Sequence, residues 1–397
     1  MFQRPYYLNR LIKFKDSDFI KIITGVRRSG KSVLLKLYVD YLKNENISEE
    51  NIIYINFEEF EYQTIKLEED FRKLILEKNP RNKNKIYYLF DEIQLVEGWQ
   101  KVVNSLRVSY DCDIVITGSN AKMLSGELAT LLSGRYVEIP VYPLSFQEFL
   151  TVKKADNDSR MVDRYYSEYE KYGGFPGVVL AQEEIKDTIL SGIFDSIVLN
   201  DIAYRSGIRD TFVLKDIISY LADNVGQLVN PSTIANVLKN EKVNTSNHTV
   251  NRYLDLLENA YLFYRIRQYD LRGKAYLKTN AKYFIADNGL RRHTVGKKDG
   301  NFGNRLENIV FLELLRRGYT VDIGRIDTKE IDFIARKVDE QIYIQVTYEM
   351  PKDSREIDNL LLIKDNYKKI IVTGRYFEEK NIRGIPIVYI VDWLLNE

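Results

Sequence analysis

The chain has 397 residues, enough for two or three domains, and its 45% hydrophobic and 29% charged residues exclude a mainly disordered polymer. Its 58 Lys and Arg against 57 Asp and Glu leave a formal net charge of +1, which argues against coating nucleic acid by bulk charge but leaves room for a local basic face. One cysteine, Cys112, excludes an intramolecular disulfide framework, and with only His248 and His293 beside it a His/Cys zinc site is not expected.

In chain order, Met1 to Arg10 lacks the apolar core of a signal peptide, and no later run approaches the ~18 residues of a membrane span. No membrane association is therefore expected, and the expected compartment is the cytoplasm. From Phe19 to about Val141, short β-prone runs (Phe19–Thr24, Ile52–Phe57, Ile86–Phe90, Ile114–Thr117 and Tyr136–Val141) alternate with amphipathic segments such as Ser32–Leu42 and Trp99–Val108. That alternation predicts an α/β fold, a parallel sheet flanked by helices.

Gly25-Val26-Arg27-Arg28-Ser29-Gly30-Lys31-Ser32 follows the first run, opens the first amphipathic segment and fits G-x-x-x-x-G-K-[ST] in full. Such a loop turns backbone N–H groups and a helix N-terminus toward a phosphate, with Lys31 reaching the β- and γ-phosphates and the Ser32 hydroxyl reaching Mg²⁺. ATP and Mg²⁺ are the expected ligands. Asp91-Glu92 ends the apolar run Ile86–Phe90, where Asp91 would hold the metal and Glu92 would activate the attacking water. A solvated turn is the other reading of such a pair. Ser119 or Asn120, just past the run ending at Thr117, would sit beside the γ-phosphate as a sensor, a reading compatible with a helix cap.

The order of strands and motifs resembles the AAA+ ATPases, with the run Ile52–Phe57 inserted between the two nucleotide motifs. The strings Thr24–Ser32, Asp91-Glu92-Ile93-Gln94, Thr117-Gly118-Ser119-Asn120 and Leu132-Ser133-Gly134-Arg135-Tyr136 are similar to those of prokaryotic AAA+ ATPases carrying a C-terminal nuclease-like domain of unassigned function. Gly173-Gly174-Phe175-Pro176, Ala286-Asp287-Asn288-Gly289-Leu290 and Glu330-Ile331-Asp332-Phe333 extend the resemblance over nearly the whole chain. It implies a P-loop ATPase core over residues 1–143, a helical lid over 144–210, a winged helix over 211–285 and a PD-(D/E)xK-like domain over 286–397. In AAA+ proteins an arginine near Arg135 can reach a neighbouring subunit's site, which would require a homo-oligomer; a surface ion pair is the alternative.

The mostly helical stretch Ser145–Arg205 is interrupted at Gly173–Gly177, either a turn between helices or a nucleotide-sensing hinge. Between Phe212 and Ile285, three short helices and a hairpin suggest the winged helix. Asn230-Pro231 starts its second helix, Thr245 or Ser246 caps its third, and Tyr261–Tyr269 with Lys282–Ile285 form the wing. From Arg252 to Asp299 eleven Lys/Arg face five Asp/Glu, so Arg265, Arg267, Arg272, Lys274 and Lys278, interleaved with tyrosines, are candidates to meet DNA phosphates. Winged helices also dock proteins, so a protein partner stays open.

In the last segment a helix at Arg305–Arg317 and strands at Tyr319–Ile323, Glu330–Ala335, Gln341–Val346, Lys369–Val372 and Ile387–Val391 are expected, with Asp332 exposed at one edge. Glu307, Asp332 and Gln345 match the ligand order of the nuclease fold, but Thr347 stands where the lysine belongs, and Lys352 is a weak substitute. The domain is therefore expected to keep the architecture without efficient cleavage. Two other readings remain: a nucleotide-gated scaffold acting through protein contacts, and an ATP-controlled nuclease.

Overall fold

The structure, a computed structural model, describes residues 2–121, 134–155, 159–208, 211–243, 245–296, 301–351 and 355–396, with the backbone alone at 159, 278 and 279. Two compact units divide the chain: Met1–Tyr142 with Asn259–Tyr261, and Pro143–Glu258 with Leu262–Glu397.

The first unit is built on five parallel strands, β1 (Ile20–Thr24), β2 (Ile52–Asn56), β3 (Ile86–Asp91), β4 (Cys112–Thr117) and β5 (Tyr136–Pro140). They lie in the order β2-β3-β4-β1-β5. Every residue of β1 and β3 is buried, as expected of strands covered on both faces. One face packs on helices α1 (Pro5–Lys13) and α2 (Lys31–Asn44) through Tyr7, Leu11, Leu34, Leu35 and Tyr38. The other packs on α3 (Glu68–Lys78) and α4 (Trp99–Ser109) through Phe71, Ile75, Trp99, Val102 and Val103. Each such side chain contributes ~1.5–3 kcal/mol relative to exposure. This burial anchors α2 to the sheet, so the loop at its N-terminus is held from both ends. The inserted run forms the outer strand β2, while β4, later in sequence, separates β1 from β3. The chain leaves β1 toward β2 and leaves β4 toward β5, a switch point that opens a crevice at the carboxyl ends of these strands.

The second unit begins with a capping box: the Ser145 hydroxyl accepts from the Glu148 amide at 3.1 Å, and the Glu148 carboxylate accepts from the Ser145 amide at 2.9 Å. Helices at Phe146–Lys153, Ser159–Tyr172 and Glu183–Ser196 follow, with Pro176 opening a short helix, Pro176–Val179. Three further helices lie at Phe212–Asp223, Pro231–Asn240 and Asn247–Asn259. Asn230 caps the second by accepting from the Thr233 amide at 2.9 Å, and of the two cap candidates Ser246 serves the third, accepting from the Thr249 amide at 3.1 Å.

The hairpin expected as the wing forms, and its strands are also part of a nine-stranded mixed sheet. Strands β6 (Leu228–Val229), β7 (Phe263–Asp270) and β8 (Ala275–Ile285) join β9 (Thr320–Ile326), β10 (Lys329–Arg336), β11 (Gln341–Thr347), β12 (Lys368–Thr373), β13 (Asn381–Ile382) and β14 (Ile385–Tyr389). Their order is β13-β14-β12-β11-β10-β9-β7-β8-β6, the junction being a parallel pairing of β7 with β9. The helix Phe302–Arg316 sends Phe311 against Phe284 of β8 and Phe333 of β10. The strand expected through Val391 stops at Tyr389, and Ile390–Leu395 is helical.

Candidate functional site

At the carboxyl end of β1 the chain turns through Gly25 at φ +133°, where an added Cβ would lie 2.1 Å from the Val141 carbonyl oxygen. No larger residue fits there. Val26 and Ser29 are buried, Arg27 pairs with Glu58 at 2.6 Å, Arg28 is exposed, and Gly30 precedes the first turn of α2. Lys31 is 3% exposed; its ammonium donates to the Gly25 and Val26 carbonyls at 3.0 and 3.2 Å and lies 3.9 Å from Glu92 Oε1.

The acidic pair ends β3. Asp91 is buried, accepts from the Thr117 hydroxyl and takes a 3.4 Å hydrogen bond from the Tyr54 hydroxyl. Burial raises its pKa, against hydrogen bonds from Thr117 and Ser32 that lower it. Glu92 has φ +52°, uncommon for a residue with a side chain and the kind of strain that collects at functional positions. Its amide donates to Thr117 Oγ1 at 3.0 Å; its carboxylate accepts from the Gln94 side-chain amide and, at 3.4 Å, from the Ser119 hydroxyl. The expected phosphate and acidic residues therefore converge. Of the two sensor candidates, Ser119 reaches Glu92, while Asn120 follows it at partial exposure. Thr117 was legible only as the end of a strand, yet it ties Asp91 to the Glu92 backbone. Arg4 was also missed: buried, it donates to the Ser29 carbonyl at 2.9 Å and steadies the loop from α1's side.

Arg135 is not brought to this group. It is exposed, and its carbonyl accepts from the Ile20 amide at 3.0 Å, at the end of β1 opposite the loop. Leu132 and Ser133 of the same string lie outside the described residues.

In the second unit the Gly173–Pro176 and Ala286–Leu290 strings interlock. Asp287 accepts from the Gly174 and Gly289 amides at 2.7 and 2.8 Å. A Cβ at Gly174 would lie 2.2 Å from the Leu144 carbonyl oxygen, and one at Gly173 1.8 Å from the Asp287 carboxylate. Burial pushes the Asp287 carboxyl up to about 7, against the backbone hydrogen bonds of Gly174 and Gly289.

The basic candidates are only partly disengaged. Arg265 and Arg267 share the exposed face of β7, but the Arg267 guanidinium lies 4.1 Å from the Tyr276 ring centroid. Arg272 pairs with Asp327 at 2.7 Å, Lys274 is exposed in the turn, and the Lys278 side chain lies outside the described residues.

Glu307, Asp332 and Gln345 do come together. Asp332 is 7% exposed in the interior of the sheet and not at an edge, a correction that follows from β9 and β11 flanking β10. A register shift between Ile331 and Ile334 re-aims it, the usual effect of a bulge. Its Oδ2 accepts from the Val346 amide at 2.8 Å, and its amide donates to Gln345 Oε1 at 3.4 Å. Thr347 donates to the Glu349 carbonyl at 2.7 Å and brings no charge; Lys352 lies outside the described residues. The lysine at this cluster is Lys282, from β8. Sequence spacing within the last segment could not reveal it, because β8 lies on the far side of two helices in the chain.

Among the described residues no helix is long and apolar enough to cross a membrane. Residues 17–150 match the model of a family described as an AAA domain, and residues 163–301 that of a domain of unknown function (DUF8612). An uncharacterized protein of Haemophilus influenzae is 68% identical over 396 residues, covering 100% of this chain and 99% of that protein. The uncharacterized protein MJ1544 of Methanocaldococcus jannaschii is 32% identical over 415 residues, covering 98% of this chain and 91% of that protein. Among solved structures, the Walker-type ATPase PABY2304 of Pyrococcus abyssi is similar at 15% identity and a TM-score of 0.49, over 74% of this chain and 96% of that one. With its phosphate loop, acidic pair and strand order β2-β3-β4-β1-β5, the chain belongs to a prokaryotic family of AAA+ ATPases that includes the Haemophilus and Methanocaldococcus proteins.

Proposed function

We propose that the chain binds ATP with Mg²⁺, hydrolyses the γ-phosphate, and transmits nucleotide state to the modules of residues 143–397. One observation carries this reading: Lys31, Asp91, Glu92, Thr117 and Ser119, from three strand ends, form a single polar group at the switch point of the sheet. The loop amides and Lys31 would hold the β- and γ-phosphates. Ser32 and Asp91 offer a hydroxyl and a carboxylate, the oxygen donors that suit a hard cation, and Mg²⁺ bound there would offset phosphate charge. Glu92 would accept the proton of the attacking water, with Ser119 and Gln94 orienting its carboxylate. An exposed Arg135 at the other end of the sheet suits a role in the site of a neighbouring copy in a homo-oligomer.

On this reading residues 211–285 supply winged-helix elements whose Arg265, Arg267, Arg272 and Lys274 contact DNA, and the sheet that β7 and β8 share with residues 286–397 is a nuclease-like module that has lost cleavage. A second reading, output through a protein partner, is favoured by the engagement of Arg272 with Asp327 and of Arg267 with Tyr276. The deciding experiment is the ATPase rate with and without duplex and single-stranded DNA. Stimulation by DNA supports the first reading, and a DNA-indifferent ATPase supports the second. No nucleotide binding at all would overturn both. Metal-dependent cleavage that changes with ATP and is abolished by Asp332→Ala would instead establish an ATP-controlled nuclease.

A further inference from the structure

A nuclease of the resembled fold holds a divalent metal among its carboxylates, and the residues around Asp332 can be tested for that fit. Glu307 comes from the helix Phe302–Arg316, Glu330 and Asp332 from β10, and Gln345 from β11. Lys282 reaches into the middle of them. It is 3% exposed, and its ammonium lies 2.7 Å from Glu330 Oε1, 3.5 Å from Glu307 Oε2 and 4.0 Å from Asp332 Oδ1.

Mg²⁺ needs oxygen ligands at about 2.0–2.1 Å in octahedral array and keeps several of its waters. An ammonium directed at the same oxygens takes both the space and the charge that the ion would use. Gly226 lies against this cluster and leaves room for the Glu307 carboxylate, since a Cβ there would lie 2.7 Å from Glu307 Oε2. Among the described residues no group of three or more His, Cys, Asp or Glu is arranged to hold a metal ion. The residues present do not fit the metal.

We propose that Lys282 is the built-in cation of this cluster, standing where a nuclease holds its divalent metal, so that the domain is a metal-independent module. The proposal rests on the nuclease-like reading of residues 286–397. Its electrostatics agree with the geometry. Glu330, Glu307 and Asp332 surround the ammonium with negative charge at 2.7, 3.5 and 4.0 Å. Among the described residues, Glu307, Glu330 and Asp332 share the Lys282 ammonium as a common partner. Without Lys282, the three carboxylates would lose the cation they share among the described residues.

The test uses the full chain without nucleotide, with Mn²⁺ as the probe and its free concentration read by electron paramagnetic resonance. Wild type and Asp332→Asn should bind Mn²⁺ equally weakly, since any weak binding at the phosphate loop is common to both. Lys282→Met should melt at a lower temperature than wild type. It should gain at least about tenfold in Mn²⁺ affinity, because removing the ammonium removes a direct charge repulsion of the ion. Mn²⁺ should restore part of the lost melting temperature, and Lys282→Met with Asp332→Asn should lose the gain. Stoichiometric Mn²⁺ binding by wild type that disappears in Asp332→Asn overturns the proposal while supporting the nuclease-like reading. A folded Lys282→Met that binds no more Mn²⁺ than wild type also overturns it, and counts against that reading as well. Should Lys282→Met not fold, wild type against Asp332→Asn decides alone.

Discussion

Lys31 and Lys282 are both 3% exposed, yet their surroundings differ in kind. Lys31 rests on two neutral carbonyls at 3.0 and 3.2 Å, with one carboxylate at 3.9 Å. Lys282 lies within 4.0 Å of three carboxylates. Exchanging carbonyls for anionic phosphate oxygens would add charge–charge attraction to the hydrogen bonds of Lys31. Moving Lys282 would strand buried negative charge, which costs ~3–5 kcal/mol when one partner of a buried pair is lost. On the proposed reading, Lys31 with one carboxylate beside it can turn to a ligand, whereas Lys282 among three is committed to the fold.

The largest effect should come from the carboxylate beside Lys31. Glu92→Gln should slow hydrolysis by ~10²–10⁴-fold, the usual worth of a general base, while leaving ATP binding within a few-fold. Single-turnover hydrolysis and equilibrium nucleotide binding read the two separately, and a wild-type rate in Glu92→Gln would sink the assigned role. Lys31→Ala should weaken ATP binding by ~100-fold or more, as two charge-assisted hydrogen bonds at ~1.5–3 kcal/mol each are lost. A fluorescent nucleotide titration checks it; unchanged affinity would mean that Lys31 stays on the loop carbonyls with nucleotide bound.

Asp287 offers a subtler contrast, a buried carboxylate held by backbone amides. Its carboxyl rises from 3.8 in the unfolded chain to about 7 when folded. The folded state therefore binds the extra proton across that window, and this group's contribution to stability falls as pH rises through it, by at most ~1.4 kcal/mol per pH unit. Asp287→Asn should flatten that dependence in denaturant titrations between pH 5 and 7, and an unchanged pH slope would contradict the shift. The smallest effect should be at the basic face. Arg265→Ala, Arg267→Ala and Lys274→Ala together should weaken duplex binding by roughly tenfold and lower its salt slope by about 2–3, with ATP affinity unchanged. Unaltered DNA binding in that triple variant would shift the reading to a protein partner.

The phosphate-loop group was legible because its residues sit at strand ends, where hydrophobic runs mark position. Gly25–Ser32, Asp91-Glu92 and Ser119 each follow an apolar run, and parallel strands with helical crossovers bring such ends to one edge of a sheet. The cluster around Asp332 was legible only in part. Glu307, Asp332 and Gln345 could be ordered from local spacing, but the exposure expected of Asp332 was wrong, since a strand with alternating polar residues reads alike at an edge or in the interior.

By itself the sequence determined the α/β class, the phosphate loop and the acidic pair, because each depends on contacts among near neighbours and on periodic burial. Tertiary structure decided the rest. It drew β7 and β8 from an expected wing into a nine-stranded sheet, joined Asp287 to Gly174 across 113 residues, and placed Lys282 among three carboxylates from other elements. Such pairings are set by which apolar faces remain to be covered once the local elements have formed. A single chain of letters carries no distance between residues that far apart, so the cation of the second cluster could be found only in the fold.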